Sequence, residues 1–167
     1  MFPPDLIAQA EALLAQFRRR GLKLAAAESC TGGLVTGLLT EIAGSSDVVE
    51  RGFVTYSNAA KHEMLGVPEA MLAEHGAVSE PVARAMAQGA LVHSAADVAV
   101  AVTGVAGPGG GTEAKPAGLV HFAAARRGGG TLHRECRFGD IGRREVRLAS
   151  VREALQLVLR AAAGATP

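Results

Sequence analysis

The chain has 167 residues, with 17 basic against 16 acidic side chains; 49% of its residues are hydrophobic and 4% aromatic. That length suits one domain with a sizeable core, held without disulfides or a structural metal. The net charge of +1 gives no electrostatic case for a nucleic-acid or membrane-surface protein.

In chain order, Leu6, Ile7, Ala10, Leu13, Leu14 and Phe17 recur at helical spacing, and Arg18–Arg20 precede a glycine stop at Gly21. Leu22–Ala27 reads as a buried strand and Gly32–Ala43 as a helix, so Glu28-Ser29-Cys30-Thr31-Gly32-Gly33 forms the turn between them. Gly52–Ser57 is a second strand, followed by a short helix from Asn58. Val67-Pro68 opens another short helix that ends near Gly76. Ser79-Glu80-Pro81 carries a capping hydroxyl, an early carboxylate and a first-turn proline, predicting a helix to about His93. Asp97–Thr103 is valine-rich, as expected of a strand covered on both faces. Thr103–Gly111 is a glycine loop. Leu119–Ala125 and Leu132–Phe138 form a hairpin across Arg126–Gly130, Arg143–Ala163 is a closing helix, and Gly164–Pro167 is a loose tail.

Alternating strands and helices with a terminal hairpin predict a single three-layer α/β/α sandwich with a core over about residues 5–162. Its mixed, mostly parallel sheet has about five strands. Met1–Ala10 lacks the basic-then-apolar order of a signal peptide, and no uncharged apolar run approaches the ~20 residues of a membrane span. The expectation is a cytoplasmic protein with two reduced thiols, Cys30 and Cys136. The five histidines show no ligand-like spacing, so no metal and no cofactor is expected.

Ligands in such folds sit beyond the carboxyl ends of strands, and three chemically rich segments fall there. In the first, Ser29 presents a hydroxyl at a strand-to-helix turn. Backbone N–H groups of Thr31, Gly32 and Gly33 would face an anion or a developing oxyanion. The plain alternative is a capped helix; Cys30 is a second candidate nucleophile. In the next segment, Lys61 falls in the first turn of a helix, where the field and burial would favour its free amine. A neutral lysine can serve a serine as base, and Tyr56 could orient or relay the proton. An exposed lysine on an ordinary helix is the alternative. Last, Thr103, Gly104, Ala106 and Gly107 open a loop suited to backbone contact with phosphate or ribose, or simply to flexibility. Arg143, Arg144 and Arg147 crowd the start of the last helix, an end that disfavours cations. A nearby anion would relieve that cost, and a solvated basic face is the alternative.

Together these segments resemble the CinA C-terminal domain family. The resemblance is carried by Glu28–Gly33, Tyr56-Ser57-Asn58 with Lys61, Gly76-Ala77-Val78-Ser79, Thr103–Pro108, Lys115-Pro116-Ala117-Gly118 and Val146-Arg147. It spans nearly the whole chain, from about Leu6 to Leu159. It implies hydrolysis of the carboxamide of nicotinamide mononucleotide to nicotinate mononucleotide and ammonia, with no metal. Ser29 would be the nucleophile, assisted by Lys61 and Tyr56. Many members carry a larger preceding domain, and this chain looks like the stand-alone form. The family's Gly-Asp-Arg run is interrupted here by Ile141-Gly142 after Asp140. Spacing to Arg147 makes Arg143 the substrate-facing arginine, with Arg144 the neighbouring alternative. A small-molecule substrate is the expected partner, and homo-oligomerisation stays open. A non-catalytic, nucleotide-binding regulatory module of the competence/damage-inducible type is the competing reading.

Overall fold

A computed structural model describes residues 2–164; the tail expected over Gly164–Pro167 lies outside the described residues from 165 onward. Helix α1 (Pro4–Arg20) buries Leu6, Ala10, Leu13, Leu14 and Phe17 and ends on Gly21 in the left-handed conformation. Strand β1 (Leu24–Glu28), helix α2 (Leu34–Thr40) and a 3-10 turn (Ser45–Asp47) lead to β2 (Val49–Val54). Helices α3 (Asn58–Leu65), α4 (Glu69–His75) and α5 (Glu80–Val92) follow. Strands β3 (Val98–Gly104), β4 (Leu119–Arg126) and β5 (Thr131–Arg137) precede the last helix, α6 (Arg143–Ala162).

The sheet runs β2-β1-β3-β4-β5. The pairs β1–β2 and β1–β3 are parallel, and the other two are antiparallel. Four of the five strands therefore point one way, and only β4 opposes them. Helices α1, α2 and α6 cover one face, against Leu24, Val98, Val100, Val102, Val120 and Phe122. Helices α3, α4 and α5 cover the other, which is lined by Ala25, Ala27, Ala99, Ala101, Ala123 and Ala125. Small side chains on that face let α5 approach closely, and Gly89 of α5 extends the fit because a Cβ there would strike the Leu65 carbonyl. The layers and the mixed sheet are those the residue pattern predicts.

Three local expectations shift. The helix expected over Gly32–Ala43 begins at Leu34, because Gly32 and Gly33 take positive φ (59° and 97°) and belong to the turn. The second strand spans 49–54 rather than 52–57, because β1 provides a partner only as far as Glu28, which pairs with Val54. Ser79 does precede α5, but its hydroxyl donates to the Gly76 carbonyl (2.9 Å) and caps nothing. Among the described residues no helix is long and apolar enough to cross a membrane.

Candidate active site

Parallel register brings the ends of β2, β1 and β3 to one edge of the sheet, since Glu28 lies opposite Val54 on one side and Val102 on the other. Beyond those ends lies a cleft of about 340 Å³, lined by Ser29, Cys30, Tyr56, Lys61, Ala77, Val78, the 103–110 segment and Arg143. All three chemically rich segments meet there.

Lys61 is only 1% exposed. Its Nζ donates to the Thr55 carbonyl (2.9 Å) and the Tyr56 carbonyl (3.1 Å), and it lies 3.0 Å from Ser29 Oγ. Burial holds the amine below the ordinary lysine pKa. A neutral amine has two N–H donors and one lone pair. Two carbonyls and one hydroxyl suit the amine in either protonation state, because the hydroxyl accepts from an ammonium and donates to the lone pair of the neutral amine. Ser57 accepts the Ala60 N–H (3.0 Å) and so caps α3, the helix that carries Lys61.

The turn at Ser29 is organised by Glu28, a residue whose role the sequence reading did not assign. Its buried carboxylate accepts the N–H groups of Gly33, Val35 and Thr36 and the Thr36 hydroxyl, all within 3.0 Å. Its backbone carbonyl accepts the Thr55 N–H (2.8 Å), tying the serine turn to the residue whose carbonyl meets Lys61. The spacing is not that of a capping box, so the local pattern carried no cue. The expected row of free donors is thereby corrected. Gly33 N–H is used by Glu28, and Gly32 N–H donates to the Ser29 carbonyl (3.0 Å). Among the described residues the N–H groups of Cys30 and Thr31 make no such bond. Arg147, matched only as part of a motif, donates from Nη2 to the Thr31 carbonyl (2.9 Å).

Burial pushes the Cys30 thiol up to about 12, which disfavours the thiolate that a cysteine nucleophile needs. Tyr56 is 62% exposed, and its hydroxyl lies 3.3 Å from Arg143 Nη2, while only its carbonyl meets Lys61. Arg143 also donates from Nη1 to the Gly107 carbonyl (3.0 Å), bridging the tyrosine and the glycine loop. Arg144, the neighbouring alternative, lines a different cavity. The Thr103 hydroxyl donates to the Ala77 carbonyl (2.8 Å), fixing the cleft wall at Ala77 and Val78. At Gly104 a Cβ would meet the backbone of Leu119 and Val120, so packing against β4 requires glycine there. Ala106 is buried in the cleft wall.

The chain is 52% identical over 157 residues to the nicotinamide-nucleotide amidohydrolase PncC of Escherichia coli K12, covering 93% of this chain and 94% of that protein. A CinA-like protein of Syntrophus aciditrophicus is 54% identical over 159 residues, 93% of this chain but 37% of the relative. The chain spans between 27% and 37% of the length of three such longer relatives. The crystal structure of the competence/damage inducible protein CihA from Agrobacterium tumefaciens superposes with a TM-score of 0.94 at 57% identity, covering 95% of this chain and 96% of that one. The family model described as the CinA C-terminal domain matches residues 7–162. With that match across the sheet, both helical layers and the Ser29–Lys61 cleft, the chain belongs to the CinA C-terminal domain family.

Proposed function

We propose that this single domain is a nicotinamide-nucleotide amidohydrolase, converting nicotinamide mononucleotide to nicotinate mononucleotide and ammonia through a serine ester and without a metal. The observation that carries the reading is the buried Lys61 amine, 3.0 Å from Ser29 Oγ and otherwise bonded only to two carbonyls. The name borne by the 52% identical E. coli relative supports the substrate class.

In this reading the lone pair of neutral Lys61 takes the Ser29 proton as Oγ bonds to the carboxamide carbon. The carbonyl oxygen gains the negative charge beside the Ser29–Thr31 turn, where the N–H groups of Cys30 and Thr31 meet no backbone carbonyl. One such donor contributes about 3–4 kcal/mol in comparable sites. On collapse the C–N bond breaks, and the Lys61 ammonium returns its proton to the departing nitrogen, giving ammonia. Water then attacks the ester carbon, Lys61 takes the water proton, and Ser29 Oγ leaves and recovers it. The cationic pyridinium withdraws electrons from the reacting carbonyl. Arg143 and the loop at Thr103, Gly104, Ala106 and Gly107 hold ribose and phosphate.

The test is ammonia release from nicotinamide mononucleotide by wild type and Ser29→Ala, with a chelator present throughout. Wild type turns over, and the variant loses at least ~10³-fold. Near-wild-type turnover by Ser29→Ala overturns the serine assignment. Nucleotide binding by the wild type without ammonia release favours the regulatory-module reading instead.

A further inference from the structure

Arg147 does not line the Ser29 cleft, yet two peptide units connect it to the residues that do. From the second turn of α6 its Nη2 donates to the Thr31 carbonyl (2.9 Å), which also accepts the Leu34 N–H (3.2 Å). That carbonyl shares a planar trans peptide with the Gly32 N–H, which points the opposite way and donates to the Ser29 carbonyl (3.0 Å). The Ser29 carbonyl in turn shares a peptide with the Cys30 N–H. Among the described residues no backbone carbonyl accepts that N–H, and Cys30 lines the cleft beside Ser29. The Ser29 N–H donates to the Val102 carbonyl (2.9 Å), so the serine end of the turn is fixed to β3. One cation, two peptides and one open donor therefore form a single row.

A cation bonded to a peptide oxygen draws electron density toward that oxygen and leaves the N–H of the same peptide a stronger donor. Each bond in such a chain strengthens the next by about 10–30%. The Arg147 bond is the charged one in this row, and charge-assisted bonds are roughly twice as strong as neutral ones. The Arg147 charge also reaches Cys30, where it opposes the upward push of burial on the thiol. We propose that Arg147 is a positioning residue that orients and polarises the Cys30 N–H toward the developing oxyanion. Its effect on turnover rests on the amidohydrolase reading; the row of hydrogen bonds does not. A mere strut between α6 and the turn would lower stability and leave kcat of the folded protein alone. A polarising row lowers kcat and spares KM, the opposite of the effect expected at Arg143.

The test compares Arg147→Met and Arg147→Lys with wild type, each assayed well below its measured melting temperature. Arg147→Met keeps an unbranched side chain and loses the donor. Its kcat for ammonia release from nicotinamide mononucleotide should fall about tenfold at unchanged KM, a fraction of the ~10²–10³ lost when an oxyanion donor is removed outright. The Thr31 carbonyl takes a single bond from Arg147 rather than a fork, so Arg147→Lys supplies a cation there and should recover most of that kcat. If Arg147→Met does not fold, Arg147→Gln, a neutral donor, replaces it with a smaller fall of the same sign. Amide NMR reads the row without turnover: the Gly32 and Cys30 N–H proton resonances should move upfield together in Arg147→Met and return in Arg147→Lys. A kcat loss that lysine does not relieve, a loss expressed in KM, or an unmoved Cys30 resonance overturns the proposal. If the wild type releases no ammonia, the amidohydrolase reading fails, and the Cys30 resonance alone then decides whether Arg147 governs that donor.

Discussion

Lys61 Nζ lies 3.0 Å from Ser29 Oγ although 32 positions separate the two residues in the chain. The approach rests on two parallel strands in register. Ser29 follows the last residue of β1, and Lys61 sits on the helix that follows β2. The Thr55 N–H to Glu28 carbonyl bond extends the pairing one step past the strand ends. Because the lysine is buried at that point, its protonation state becomes a property of the fold.

That burial predicts a pH profile. Ammonia release should rise with pH and level off, with an inflection below the ordinary lysine value of 10.5. An inflection at or above that value would contradict a base held neutral by desolvation. Lys61→Arg places a cation there that does not lose its proton, and turnover should fall by about 10²–10⁴-fold at every pH. Stability follows the same sign. With the folded pKa lowered, the contribution is present above the unfolded value and is lost as pH falls through the folded one.

Arg143 bridges Tyr56 and Gly107 at the mouth of the cleft. If it holds the substrate phosphate, Arg143→Ala removes a charged hydrogen bond of about 1.5–3 kcal/mol. Steady-state kinetics should then show KM raised by about 10- to 100-fold with kcat changed much less. A fall in kcat at constant KM would instead place Arg143 in the chemical step.

Glu28 meets four donors with one buried carboxylate, and Glu28→Gln replaces one acceptor oxygen with an amide that cannot accept. Thermal or urea unfolding should show a loss of about 1–3 kcal/mol. Gly52→Ala should act through the same network, because a Cβ there would lie 2.5 Å from Thr36 Oγ1 and push that hydroxyl away from Glu28. Wild-type stability in both variants would show that the carboxylate organises nothing.

The histidines His121 and His133 stand 3.0 Å apart across β4 and β5. Burial lowers both pKa values, with mutual repulsion adding at His121. Glu80 and Glu135 oppose the shift at both residues; Lys115 reinforces it at His121 and Arg84 at His133. Folding stability should therefore decline as pH drops below about 6.5, where the unfolded chain takes up protons that the folded pair resists. His133→Gln should flatten that decline in melts between pH 5 and 8. An unchanged slope would assign it to other groups.

Much of this molecule was readable from the linear chain. Helical spacing in Leu6–Phe17, the valine run before Thr103 and the hairpin glycines each reflect contacts between near neighbours, and those elements lie where the pattern puts them. Ser29, Lys61 and Arg143 could be nominated because strand ends and helix starts are local features too. Other assignments needed contacts between distant segments. Gly32 and Gly33 looked like free donors until Glu28 was seen to occupy one and the turn the other. That the Tyr56 hydroxyl lies beside Arg143 while its carbonyl meets Lys61 depends on helix α6 packing at the mouth of the cleft. Spacing to Arg147 favoured Arg143 over its neighbour Arg144, but only the fold shows that Arg143 lines the cleft and Arg144 a separate cavity. Periodicity and turn chemistry are written in adjacent residues. Which donor meets which acceptor, and which amine loses its water, depends on strand register and on which layer covers it, and neither is encoded within a few residues of the group concerned.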